Sequence, residues 1–304
     1  MRNNLSTGDL IYLGNPDDAI RFDGAFRVLN PKLCNTGETG IFLLSENLIG
    51  KNQTSGYPFK NVPDPINNSY VDSAARKWCE TFYEEHFTSV EKAAILPTNK
   101  SDDIYVKTHT WKLIGGKTRD GKCPFVAAPD ILCHDRLFLL SAEEADCAAY
   151  GFTNNESRLA YFGGRPAAWW LRSPHAPDFP KDVGVVFHNG WLLDFVEDKD
   201  SVFGKAPLCM RPALNLDASM IRDILPVGEQ NATNTKCYKE WVVWFESESE
   251  EDVQNKLKKY TYGRRICSEM SAKSDELGPF ARLMMTVFLA FIDRKRNRAE
   301  QEEW

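Results

Sequence analysis

The strings Trp169-Trp170-Leu171-Arg172-Ser173-Pro174 and Arg211-Pro212-Ala213-Leu214-Asn215-Leu216-Asp217 decide how this chain reads. Each sets an arginine and a proline among large apolar residues. Charged side chains are rarely buried unless paired, so an arginine in such company marks framework locked by a carboxylate more than it marks a ligand site. The alternative, that Arg172 or Arg211 holds an anion, is the weaker reading.

Between the strings, Val183–His188 and Trp191–Val196 flank Asn189-Gly190, the strongest short hairpin signal. Upstream, Asp9–Leu13 reads as a strand ending at Gly14-Asn15-Pro16-Asp17. Ile20–Leu29 alternates with period two around Gly24, and Gly40–Ser45 is a continuous apolar run suited to a central strand. Val71, Ala74, Ala75, Trp78, Cys79 and Phe82 recur at helical spacing, with Asp72 or Ser73 as the start, and Thr88-x-x-Glu91 is a capping box. Residues 98–130 read as an irregular insertion with a hairpin and turns at Gly115-Gly116 and Asp120-Gly121. Asp135–Leu140 reads as a strand feeding a helix capped at Ser141-Ala142-Glu143-Glu144. Residues 51–68 form a loop too long for a simple connector.

The composition then shifts. Residues 226–236 read as a linker, Trp241–Glu246 as a strand, Ser247 to about Tyr260 as a helix, and Gly278 to about Arg298 as a last helix. The expected domains are 1–225 and a small strand-helix-helix unit over 236–304. Phe280, Met284, Phe288 and Phe291 on the last helix are candidates for docking a partner or a second copy, although packing within the protein is the favoured use of that face.

A formal net charge of −6 argues against general affinity for nucleic acid or anionic membrane, and the dense basic cluster is confined to Arg294–Arg298. No apolar run reaches membrane length and the start of the sequence lacks a secretion signal, so a cytoplasmic protein or a virion component is expected. The eight cysteines form no C-x-x-C pair, so reduced, buried thiols are expected, with no metal. Cys123, Cys133 and His134 match no common zinc spacing.

From the signatures and their order, residues 9–217 resemble a bacterial and phage domain-of-unknown-function family marked by WWLRSP and RPALNL strings. Such domains are similar to C-type-lectin-like folds, a superfold that includes formylglycine-generating enzymes and retroelement variable proteins. The resemblance implies an α+β, C-type-lectin-like domain with an exposed, loop-rich recognition face, followed here by a small α+β extension. It implies no reaction. The acceptor-rich strings of calcium-dependent lectins are absent, and no two cysteines in the C-terminal half are close enough to be the copper ligands of a formylglycine-generating oxidase.

Candidate binding residues follow from the hairpin and the first signature. In a strand, at least one of Trp169 and Trp170 points inward, leaving the other, taken as Trp170, for a surface. Trp191 just beyond the turn can stack on a ligand, and His175, His188 and Asp194 supply polar chemistry. No P-loop, dinucleotide fingerprint or G-x-S-x-G motif is present, so neither catalytic residues nor a cofactor are assigned. The expectation is non-catalytic recognition of a protein partner through 175–205 and 51–68. The alternatives are an effector or inhibitor that sequesters a host protein through the last helix, and an enzyme of the formylglycine-generating superfold.

Overall fold

A computed structural model describes residues 5–50, 59, 68–112, 118–175, 182–196, 208–229 and 239–260. The first elements are β1 (Leu10–Tyr12), β2 (Ala25–Asn30) and β3 (Ile41–Ser45). All five residues of β3 are buried, as a continuous apolar run demands of a strand covered on both faces. Strand β2 is shorter than its alternation suggests. Gly24 is left-handed (φ 77°), and the Phe22 amide donates to the Asp17 carbonyl at 3.0 Å, so the chain from Ile20 is a tight loop before the strand begins.

Helix α1 (Ala74–His86) starts at Ser73, whose hydroxyl accepts from the Arg76 amide, and it buries Ala75, Cys79 and Phe82. Helix α2 (Ser89–Ala94) opens with the expected reciprocal box between Thr88 and Glu91. The second Glu91 oxygen accepts from the Gly14 amide at 2.9 Å, so this cap also pins the loop after β1.

Residues 98–135 are a regular arm. Strands β4 (Thr98–Asp102), β5 (Tyr105–Lys112), β6 (Thr118–Phe125) and β7 (Ala128–Asp135) form two antiparallel pairs, β5 with β6 and β4 with β7. Asp120-Gly121 lies inside β6, opposite Thr110 and His109, and is not a turn. The alternation is present but is not written in apolar residues. Lys107 and His109 face inward beside Tyr105, Cys123 and Phe125, whereas Val106 and Thr108 face out.

The remaining strands are β8 (Leu137–Phe138), β9 (Tyr161–Phe162), β10 (Arg165–Pro166), β11 (Trp169–Pro174), β12 (Asp182–Val186), β13 (Leu192–Val196), β14 (Ala213–Leu216), β15 (Ile221–Glu229) and β16 (Lys239–Phe245). The box at Ser141 and Glu144 forms, but it caps a 3-10 turn at Glu144–Asp146 instead of an α-helix. Strands β11, β12 and β13 make a three-stranded antiparallel sheet.

The main sheet has seven strands in the order β15-β16-β1-β2-β3-β14-β8. Strand β16 lies between β15 and β1, parallel to β1 with Ile11 opposite Trp241. The strand expected to open a separate unit after a 226–236 linker is therefore part of the main sheet. Its alternation is hidden because Trp241, Val242 and Val243 are all buried. The compact units are instead 1–249 and 250–304. Residues 250–260 of the second are helical. The expected helix at 278–298, with Phe280, Met284, Phe288 and Phe291, lies outside the described residues, as does nearly all of 51–68. No described helix is long and apolar enough to cross a membrane.

The two signatures meet in a buried polar network. Strand β11 is buried at all six positions, and Arg172 within it is fully enclosed. Its guanidinium forks onto Asp102 (Nε to Oδ2 2.9 Å, Nη2 to Oδ1 2.6 Å) and donates to Glu144 Oε2 at 2.7 Å and to the Leu139 carbonyl at 2.7 Å. The other Glu144 oxygen accepts from Lys100 at 2.8 Å and from Asn35 at 2.9 Å. Asn215 of the second signature donates to Asn35 at 2.7 Å and to Thr98 at 2.9 Å. Two cations and two carboxylates balance inside this network, which is what makes such burial tolerable.

Candidate functional site

The tip of the β12–β13 hairpin is the best-defined exposed feature near the expected site. Its turn differs from a two-residue Asn-Gly loop. The Phe187 amide donates to the Trp191 carbonyl and the Gly190 amide to the Phe187 carbonyl, both at 2.8 Å. Gly190 is left-handed (φ 77°), whereas Asn189 does not have a positive φ. This is a three-residue loop with a glycine bulge, and the Asn189 side chain accepts from the Trp191 amide at 3.1 Å. His188 and Asn189 project into solvent.

Three residues that the sequence patterns do not single out hold this tip. Arg158, nearly fully buried, donates through Nε to the Gly190 carbonyl at 2.8 Å and through Nη1 to Asp146 at 2.6 Å. Asp146 also accepts from the Tyr105 hydroxyl and, at 2.5 Å, from Lys107, both on the inner face of β5. His109, two residues further along the same face, bonds through Nε2 to the Leu192 carbonyl at 2.6 Å. A carbonyl only accepts, so Nε2 carries the proton. The His109 ring stacks on Trp191 with centroids 5.6 Å apart and planes 18° from parallel. Burial pushes the His109 pKa down, against the opposing pull of the Leu192 carbonyl, and favours the neutral ring. A Cβ on Gly190 would sit 1.8 Å from the Asn155 carbonyl oxygen, so the tip seats on the loop before Arg158 with no side chain between.

The sequence-derived residues fall into different places. His188 is exposed and Trp191 half-buried at the tip. Trp170 is not a surface residue, because its ring packs on Phe59 at 5.4 Å and both adjacent tryptophans are enclosed. Strand alternation fails as a guide there, since β11 is covered on both faces. His175 is also interior, edge-on to Phe125 at 6.0 Å, with its amide donating to the Asp182 carbonyl at 3.0 Å. Asp194 lies in β13 opposite Gly184, and its side chain lies outside the described residues. The spacing of Tyr105, Lys107 and His109 was the signal for the missed clasp, but it carries polar side chains on the inward face.

A concavity of about 260 Å³ lies between Asn47, Leu48, Tyr161 and the left-handed pair Gly163-Gly164, with Arg21 stacked on Phe162 at its wall. Among the described residues, no group of three or more His, Cys, Asp or Glu side chains is arranged to hold a metal.

The model of a domain of unknown function, DUF6273, matches residues 38–218, more than half of the chain. The chain belongs to the DUF6273 family. The DUF6273 segment takes in both signatures, the arm, the clasp and the hairpin. It leaves out β1, β2, β15 and β16, although these complete the main sheet of the same unit. No curated protein and no solved structure matches the chain.

Proposed function

We propose that this DUF6273 protein is a non-catalytic recognition protein that binds a protein partner through the hairpin tip and the arm beside it. The observation that carries this reading is the clasp. Arg158, Asp146, His109 and Trp191 fix a turn whose outermost residues, His188 and Asn189, stay exposed. An exposed tip on a rigid base loses little entropy on binding, which is how loops on scaffolds come to recognise partners. The finer assignment of the fold as C-type-lectin-like belongs to the same proposal. It rests on the order of the signatures and on an α+β body from which hairpins project.

The test immobilises the full chain and compares partner capture by the wild type, a His188→Ala/Asn189→Ala double variant and Tyr161→Ala, an exposed residue away from the tip. The reading requires loss of the captured partner in the tip variant and retention in Tyr161→Ala. Equal capture by all three overturns it.

A further inference from the structure

Asn189-Gly190, at the hairpin tip, is the only Asn-Gly pair in the sequence. Such a pair can react with itself. Glycine leaves its amide nitrogen unobstructed, so that nitrogen can close a five-membered ring onto the neighbouring carboxamide carbon. The new N–C bond expels ammonia and leaves a succinimide. One water then opens either ring carbonyl, giving aspartate or isoaspartate, in which the backbone runs through the side-chain carbon.

The folded tip exposes one reacting group and covers the other. The Asn189 residue lies in solvent, whereas Gly190 is buried. The Gly190 amide donates to the Phe187 carbonyl at 2.8 Å, and ring closure has to remove that same proton. Asn189 Oδ1 accepts from the Trp191 amide at 3.1 Å, which directs the carboxamide forward along the loop. Ring closure also has to turn the backbone between the two residues, and the seat of the tip opposes that turn. A Cβ on Gly190 would already stand 1.8 Å from the Asn155 carbonyl oxygen, and Arg158 Nε holds the Gly190 carbonyl at 2.8 Å.

We propose that Asn189 is a deamidation site that the clasp keeps latched, so that the tip is modified only when it opens. Both products alter the tip. Isoaspartate lengthens the backbone of a three-residue loop by one atom, which the close seat on Asn155 cannot take up. Aspartate adds a negative charge beside the exposed His188. Loss of ammonia is not reversed in solution, so the modified fraction records how often the tip has opened. This chemistry needs no partner and stands apart from what the tip binds.

The test incubates the full chain at neutral pH and follows Asn189-Gly190 by peptide mapping that resolves asparagine, aspartate and isoaspartate. Native wild type, urea-unfolded wild type and Arg158→Met are compared, and hydrogen exchange at the Gly190 amide measures opening in the native samples. The unfolded chain is expected to deamidate at this pair more than about tenfold faster than the native one, since a latched segment reacts only through its open fraction. Arg158→Met is expected to speed Gly190 exchange and deamidation by the same factor. Should that variant fail to fold, wild type in urea below its unfolding transition supplies the same comparison. Each of three results overturns the proposal: native deamidation as fast as unfolded, an unfolded chain that leaves Asn189 intact, or faster Gly190 exchange without faster deamidation.

Discussion

Arg172 and Glu144 meet at 2.7 Å in the interior, and through them the first signature is tied to the arm, to Asn35 and to the second signature. Removing one member of such a pair strands a buried charge. Arg172→Met is expected to lower unfolding free energy by about 3–5 kcal/mol in urea denaturation. Arg172→Lys should not restore it, because an ammonium cannot fork onto Asp102 while also reaching Glu144 and Leu139.

The same pair sets an acid limit. Burial alone would raise the Glu144 pKa, but Arg172 and Lys100 outweigh it and hold the carboxyl well below its ordinary 4.5. A carboxyl depressed in the folded state contributes stability that is complete above its unfolded pKa and declines as pH falls toward the folded value. Stability should therefore hold above pH 4.5 and fall steadily below it. Glu144→Gln should be less stable at neutral pH yet show a flatter acid limb when unfolding free energy is measured across pH.

Gly190 and Gly164 offer a matched comparison. Both are left-handed, but a Cβ at Gly190 meets the Asn155 carbonyl at 1.8 Å, while one at Gly164 meets nothing within 4 Å. Gly164→Ala should cost about 1–2 kcal/mol from backbone conformation alone. Gly190→Ala should cost more and should displace the tip, read as faster hydrogen exchange at residues 187–192.

Arg158→Met removes the bond to Gly190 and one partner of Asp146, which keeps Lys107 and Tyr105. We expect a loss of about 2–3 kcal/mol, the scale of hydrogen bonds made by a charged group. Amides at the tip should exchange faster while those of β2 and β3 stay protected. Partner capture should weaken with it even though Arg158 itself is covered.

Thiol reactivity should follow exposure. Among the described cysteines Cys133 is exposed and Cys147 half-buried, while burial pushes Cys34 up to about 11 and Cys79 and Cys209 up to about 12. Alkylation of the folded protein at about pH 8, mapped by mass spectrometry, should label Cys133 first and leave Cys34, Cys79 and Cys209 unmodified.

The parts of the fold that announced themselves were those whose period or capping was written in the side chains used to find it. Strand β3 showed as an unbroken apolar run, α1 as a helical stripe, and α2 through Thr88 and Glu91. The arm stayed hidden because its inward face carries Lys107 and His109, whose burial depends on Asp146 and Leu192, residues distant in sequence. Arg172 was legible as a carboxylate-paired core arginine. Arg211 was not, since it lies on backbone carbonyls and an indole face and forms no direct carboxylate pair among the described residues. Trp170 and His175 looked available only because nothing in their sequence reveals that β11 is covered on both sides.

The Trp241 indole donates to Asp9 at 3.1 Å across 232 residues of chain, beside the parallel pairing of β1 with β16. During synthesis this places a constraint on timing. The N-terminal strand emerges first with one edge unmatched and must wait for nearly the whole unit to be made before that edge is filled. Contacts of such sequence separation slow folding, and a waiting edge invites pairing with other chains. The nascent protein should therefore depend on chaperones more than its finished stability would suggest, and a stall before residue 239 would release a species prone to aggregate.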